Sequence, residues 1–337
     1  MKNYIDLLVL PMALNLFDGN TNVTTDAGLT DEMKVYYSTY LIRLAEPLLV
    51  HDQFAQKHPI PKNGGKTIAF RKYDSLPKAL TPLTEGVTPD GQKLTMDEIT
   101  ATVAQYGGFV ELSDMLLLTA IDNNLMVATR LIAEQASKTL DTITREVLNG
   151  GTNVLYAEGQ VSSRAALVGG QDSGNHYLTI DGVRKAVRFL KVMNARRING
   201  DFAGIIHPDV AYDLMSDPKW VNVKTYSDPS GIYNGEIGKI EGVRFVETSE
   251  AKVFVGEGAS GRDVYSTLIL GADAYGVTEI TGGGLQHIVK QLGSGGTSDP
   301  LDQRATVGWK ATKVAERLVE QYMVRIETTS TFTSPAA

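Results

Sequence analysis

The chain has 337 residues, 42% of them hydrophobic, enough for one large or two ordinary domains with a real core. It has no cysteine, which excludes a disulfide scaffold and any thiolate site and suits a reducing compartment. Thirty-two Lys and Arg against 39 Asp and Glu leave a net charge of −7, the wrong sign for a protein dedicated to gripping phosphate backbones.

Residues 7–17, LLVLPMALNLF, are apolar, but Pro11 interrupts them, Asp6 offsets Lys2 and no small-residue cleavage site follows, so they do not read as a secretion signal. Nothing else approaches the length of a bilayer span. Met12 offers an alternative start that would leave 1–11 as an extension. Residues 18–30 are polar and turn-rich, an irregular arm. From Asp31 to about Leu49, Met33, Tyr36, Tyr37, Tyr40, Leu41 and Leu44 fall at helical spacing, and the pattern ends before Pro47.

Gly65-Lys66-Thr67 ends like a phosphate-cradling Walker loop, yet position 60 is Ile rather than Gly, and Pro59 and Pro61 occupy the loop. Residues 67–73, TIAFRKY, alternate with period two, which predicts a strand where a nucleotide site needs a helix. Two further strands are expected at about 99–105 and 108–112. The connection between the first and second is about twenty residues rich in Pro and Gly, far beyond the two to five of an ordinary hairpin. Lys62, Lys66, Arg71, Lys72 and Lys78 lie on its outgoing limb, and Glu85, Asp90, Asp97, Glu98 and Glu111 on the return. Opposite-sign limbs pair with each other or with neighbours, and half of such a hairpin, about 22 residues at roughly 3.3 Å each, outreaches the radius of the remaining globule. The spacing therefore predicts a projecting arm; a solvated mixed-charge surface hairpin is the plainer alternative.

A short segment from Ser113 to Leu118 opens at a capping serine. A long helix follows, capped at Asp122 and ended by Gly150-Gly151, with Leu125, Ala128, Leu131, Ile132, Ala136, Leu140, Ile143 and Val147 on one apolar stripe. About 27 residues span roughly 40 Å, a spine rather than a compact enzyme element. Beyond 170 an α+β module is expected: helices at about 180–194 and 208–215, and strands near 203–206, 243–248, 252–255 and 264–270. Glycine-rich residues 281–303 then lead to two β-like runs, 305–313 and 319–328.

Chemistry is sparse in the sequence. His51, His58, His176, His207 and His287 show no metal-ligand spacing. His207, before Pro208-Asp209 at a strand end, is the one place for a general base, although a histidine packed at a turn fits better. Gly282-Gly283-Gly284 lacks the helix of a dinucleotide site, GEGASGRD lacks the spacing of a nucleophile elbow, and Trp220, Trp309, Tyr156 and Tyr226 read as core or interface anchors. No catalytic, cofactor-binding or metal residue is therefore assigned, and no cofactor is expected. A projecting arm, a flexible N-terminal segment and an overlong helix without chemistry point instead to self-assembly.

The segments HPIPKNGGKTIAFRKYDSLP, LTEGVTPDGQKL, LSDMLLLTAID, LNGGTNVLYA, IIHPDVAYDLMSD, LGADAYGV and GWKATKVAERL resemble the tailed-phage major capsid proteins of the N-four type, which share the Hong-Kong-97 capsid fold. The resemblance covers most of the chain from about residue 12. It implies an N-terminal arm and short helix over 1–61, an extended loop over 62–112, a peripheral domain with the spine helix over 113–178, an axial domain over 179–290 and a return to the peripheral domain over 291–337. It also implies an α+β subunit that assembles as pentamers and hexamers into an icosahedral shell around double-stranded DNA. A portal protein is an implied partner, scaffolding and decoration proteins are left open, and no membrane is involved. The location implied is the virion, with assembly in the host cytoplasm. The chain begins too close to its first element for a long scaffolding domain, and no Lys and Asn stand out as an isopeptide pair. Two other functions fit the residues: an α+β hydrolase or transferase using His207 and Asp209 within 179–290, and a cellular compartment-forming shell of the same fold.

Overall fold

The computed structural model describes residues 49–59, 66–73, 76–88, 90–119, 124–169, 176–218, 238–278, 285–294 and 299–332. The expected arm at 18–30 and nearly all of the helix expected at 31–49 lie outside these residues, as do Asp122, Trp220, Tyr226 and Gly282–Gly284.

Strand β1 (Gln56–His58) precedes β2 (Thr67–Tyr73), which pairs antiparallel with β3 (Met96–Thr102) as the alternating TIAFRKY predicts. One residue, Val103, separates β3 from β4 (Ala104–Ser113), so the return limb runs from the hairpin straight into a second sheet. Helix α1 (Asp114–Thr119) starts at Ser113, whose Oγ accepts the Leu116 amide at 3.3 Å, the predicted cap. Helix α2 (Asn124–Asn149) is the expected spine; at 26 residues it is about 39 Å long.

Helix α2 lies on a three-stranded antiparallel sheet in the order β12 (Leu285–Lys290), β13 (Arg304–Lys313), β4. Ile132, Ala133, Ala136 and Leu140 face Leu112, Ala305, Val307, Trp309 and Ala311 in one core. Each large side chain buried there contributes about 1.5–3 kcal/mol. Leu131 departs from the predicted stripe: it is 54% exposed, because the sheet covers the face of 128, 132, 133 and 136 and leaves 131 beyond its edge.

The larger sheet has seven strands. Its main order is β5 (Val154–Tyr156), β15 (Met323–Thr328), β10 (Val264–Leu270), β6 (Phe202–Ile206), β8 (Val243–Glu247), β7 (Lys239–Ile240), with β9 (Val253–Phe254) beside β10. Helices α3 (Ile180–Val192) and α4 (Pro208–Met215) cover one face through Val183, Val187, Leu190, Val210 and Leu214. The other face meets Leu148 from the end of α2 and a small sheet of β1, β11 (Tyr275–Thr278) and β14 (Ala315–Arg317). The run expected as one strand over 319–328 is shorter: Glu320–Tyr322 is a single 3₁₀ turn and only Met323–Thr328 is β15, while the unexpected β14 precedes the run.

The sheets join segments that the resemblance assigns to different divisions. β12, inside 179–290, pairs with β13 over the spine helix, whereas β15, inside 291–337, sits between β5 and β10 in the larger sheet.

Candidate assembly surface

The β2–β3 hairpin is anchored at its base and bare at its tip. Phe70 (1% exposed), Ile68 and Ala101 form a small core with Ile99, Val103, Val314 and Leu318. Gly276 on β11 admits the Phe70 ring, since a Cβ there would stand 2.5 Å from it. The register sets Arg71 opposite Glu98, one cross-strand pair of opposite sign near the base. Toward the tip the described residues 76–88 and 90–95 carry no strand. There Leu80 is 81% exposed and Leu83 76%, and Leu76, Val87 and Leu94 are half-bare or more. A tip that exposes five large aliphatic side chains gains nothing from its own chain and is suited to burial against another surface.

The outward face of the β12–β13–β4 sheet is a second such surface. Register places Ile288, Gly308 and Phe109 side by side across the three strands, with Phe109 69% exposed and no side chain on the glycine between them. Lys290, Arg304, Glu111 and Asp299 surround an open cleft of about 340 Å³ beside them.

Behind both surfaces a buried polar lock holds residues 49–55 to the spine. Asp141 accepts from the His51 backbone amide at 2.8 Å and meets His51 Nδ1 at 2.6 Å. Thr144 Oγ1 donates to Asp52 Oδ1 at 2.6 Å, the Lys313 ammonium pairs with the other Asp52 oxygen, and the Tyr275 hydroxyl donates to the His51 carbonyl. Burial first, then the nearby Asp52 carboxylate, raises the Tyr275 phenol well above its ordinary pKa. The charges are paired and hydrogen-bonded, the condition under which they are tolerated inside a protein. Sequence reading missed this lock. A signal was present: Ser137, Asp141 and Thr144 run at helical spacing beside the apolar stripe, and all three are buried.

The five histidines stand apart. His58 packs edge-on against Phe70, His176 Nδ1 accepts the Val168 amide at 2.8 Å, and His287 lies on β12 with its pKa lowered by burial. His207 caps α4: its Nδ1 accepts the Asp209 amide at 3.2 Å, with Pro208 in the first turn. Asp209 in turn accepts from the Tyr265 hydroxyl at 2.9 Å. Burial, partly offset by the Asp209 carboxylate, lowers the His207 pKa, so the neutral ring that the cap requires is favoured. Burial and the Asp209 hydrogen bond raise that of Tyr265. His207 and Asp209 are thus brought together, but as the start of a helix. Trp309 is a core anchor, as expected, with Nε1 donating to Gln135 at 3.1 Å. Among the described residues no three His, Asp or Glu side chains are placed to share a metal ion, and no helix is long and apolar enough to cross a membrane.

Comparison with known proteins bears on what such surfaces do. A family model described as phage capsid protein matches residues 97–319. No curated protein matches. Among solved structures, the capsid of Ralstonia phage GP4 is similar at TM-score 0.62 and 14% identity, covering 85% of this chain and 87% of that one. The cyanophage Pam1 capsid asymmetric unit is similar at TM-score 0.63 and 13% identity over 86% and 92% of the two chains. The capsid structure of cyanophage P-SCSP1u gives 0.60 and 13% over 82% and 87%. At these identities the likeness is one of fold.

Proposed function

The chain belongs to the phage capsid protein family, and from that premise we propose how its surfaces build a shell. It is a major capsid protein with the Hong-Kong-97-type fold, structural rather than enzymatic, whose copies form an icosahedral shell in the virion.

In this proposal the copies close into pentamers and hexamers around the 179–290 division, with the spine helix and 113–178 outside it and the hairpin of 62–112 reaching across to the next subunit. The observation that carries it is the hairpin tip, whose leucines are exposed in the single chain while its base is locked into a core. The part of the N-terminal arm ahead of the locked residues 49–58 laps a neighbour as well in this proposal. Each lap is a modest contact, but a subunit held at several points gains through effective concentration. The shell encloses double-stranded DNA without reading its sequence, connects to a portal protein, and assembles in the host cytoplasm. Net charge −7 suits such a wall, since a uniformly basic lining would hold phosphates too tightly for the DNA to slide.

Electron microscopy of the purified protein tests this reading. Closed icosahedral particles are expected; a protein that stays monomeric under all assembly conditions would contradict it.

A further inference from the structure

Among the described residues of this acidic chain, a concentrated basic run surrounds the end of α3. Between 184 and 197 there are six cations, Arg184, Lys185, Arg188, Lys191, Arg196 and Arg197, and no Asp or Glu, so the rest of the chain carries −13 against −7 for the whole. All six are exposed. On α3, Arg184, Arg188 and Lys191 recur at helical spacing and form one edge of an open cleft of about 380 Å³, completed by Val187, Val192 and Glu241. Val192 is 59% exposed. Arg184 is held by Asp181 at 3.0 Å and Glu241 at 2.8 Å. Arg188 and Lys191 have no hydrogen-bond or ion-pair partner among the described residues.

We propose that this face of α3 is a sequence-independent contact for the phosphate backbone of double-stranded DNA, the surface that the shell turns toward its contents. The inference rests on the capsid reading above. The match of dimensions supports it: residues 184–191 extend about 10 Å along the helix, and a duplex strand presents a phosphate every 3.4 Å or so of axis, about three phosphates over that length. A second copy of the chain is the less suitable occupant. The carboxylates on its four described helices are already engaged: Asp114 with the Met115 amide, Glu134 with Lys138, Asp141 with His51, Glu146 with Lys252, Asp181 with Arg184, Asp209 with Tyr265, and Asp213 with Thr331. None of these helices offers a free acidic row to match the basic one, and the exposed acids near the hairpin tip, Glu85 and Asp90, are two separate charges rather than a row. Two contacts on an otherwise repulsive surface also make binding weak and salt-labile, compatible with DNA that must move past the wall.

The test is fluorescence anisotropy of a labelled 30-base-pair duplex with full-length dispersed subunits, between 50 and 200 mM salt. Arg188 and Lys191, the two cations of the stripe without an ion-pair partner among the described residues, predict two phosphate contacts and an affinity that falls about 12-fold over that range. Arg188→Gln with Lys191→Gln removes both contacts and predicts weaker binding at 50 mM with little further fall up to 200 mM. Lys290→Gln with Lys310→Gln, the same charge removed from the β12–β13 face, should keep the wild-type slope. Melting temperature should be unchanged in both pairs, because all four side chains are exposed. No DNA binding by the wild type, or the same slope in the Arg188/Lys191 variant, would overturn the inference. So would loss of shells in that variant with DNA binding intact, which would assign the face to contacts between copies. Shell formation by the wild type, seen in the electron microscope, tests the capsid reading separately, so failure of DNA binding with shells intact leaves that reading standing.

Discussion

Replacing Lys313 with Met should destabilise the subunit far more than loss of a surface ion pair. Lys313 is 1% exposed and Asp52 5%, and each Asp52 oxygen has one partner, Lys313 for one and Thr144 Oγ1 for the other. Met fills much of the lysine volume, so packing changes little, but one carboxylate oxygen is left buried without a donor. Breaking a buried pair from one side costs about 3–5 kcal/mol. With an unfolding entropy of about 2.1 cal/mol/K per residue, the 337 residues lose about 1.4 °C of melting temperature per kcal/mol. A fall of about 4–7 °C is expected, measured by circular dichroism on dispersed subunits so that shell contacts do not contribute. Adding Asp52→Asn removes the orphaned charge and keeps an acceptor for Thr144; the double variant should regain about 2 kcal/mol of the loss. A Lys313→Met melt within about 1 °C of wild type, or a double variant no better than the single one, would refute the lock.

Leu140→Asp puts a carboxylate at a fully buried position on the spine, at a cost of several kcal/mol, and should give insoluble or unfolded protein; wild-type circular dichroism and melting would show that the stripe is not core. Gly276→Ala drives a methyl group into the Phe70 ring and should cost about 1–3 kcal/mol, with faster proteolysis at the hairpin as the specific readout. His207→Ala loses a helix cap, about 1–2 kcal/mol, while particle yield stays near wild type; a hydrolytic activity abolished by this change would contradict the structural reading. Because burial lowers the folded pKa of His207, its neutral form contributes stability above about pH 6.5, lost as pH falls from there through the lowered folded value. His207→Asn keeps a capping oxygen and should flatten that part of the stability profile, measured by denaturant unfolding from pH 5 to 8.

Elements governed by local periodicity were legible in the sequence. The alternation of 67–73 gave β2, the stripe of α2 gave the spine to within a few residues, and 208–215 and 264–270 coincide with α4 and β10. Pairings between distant segments were not, because nothing in 323–328 alone says that it lies between 154–156 and 264–270. The break at 320–322 was missed for the same reason: a β-like run looks continuous until tertiary contacts bend it. The exposed hairpin tip was legible as an anomaly, a connection too long for a hairpin. The basic stripe of α3 was visible in the sequence as residues but not as a surface, since only burial of Val183, Val187 and Leu190 shows that Arg184, Arg188 and Lys191 face away from the core.

The most direct test of assembly through the hairpin replaces Leu76–Leu94 with an Asn-Gly turn and compares sedimentation velocity with the thermal melt. The tip contributes little to the subunit core, whose hairpin portion lies at Ile68, Phe70 and Ala101, so the melt should stay close to wild type while closed shells give way to subunits or small oligomers. Shells of normal size and yield from the tip-deleted chain would contradict the account.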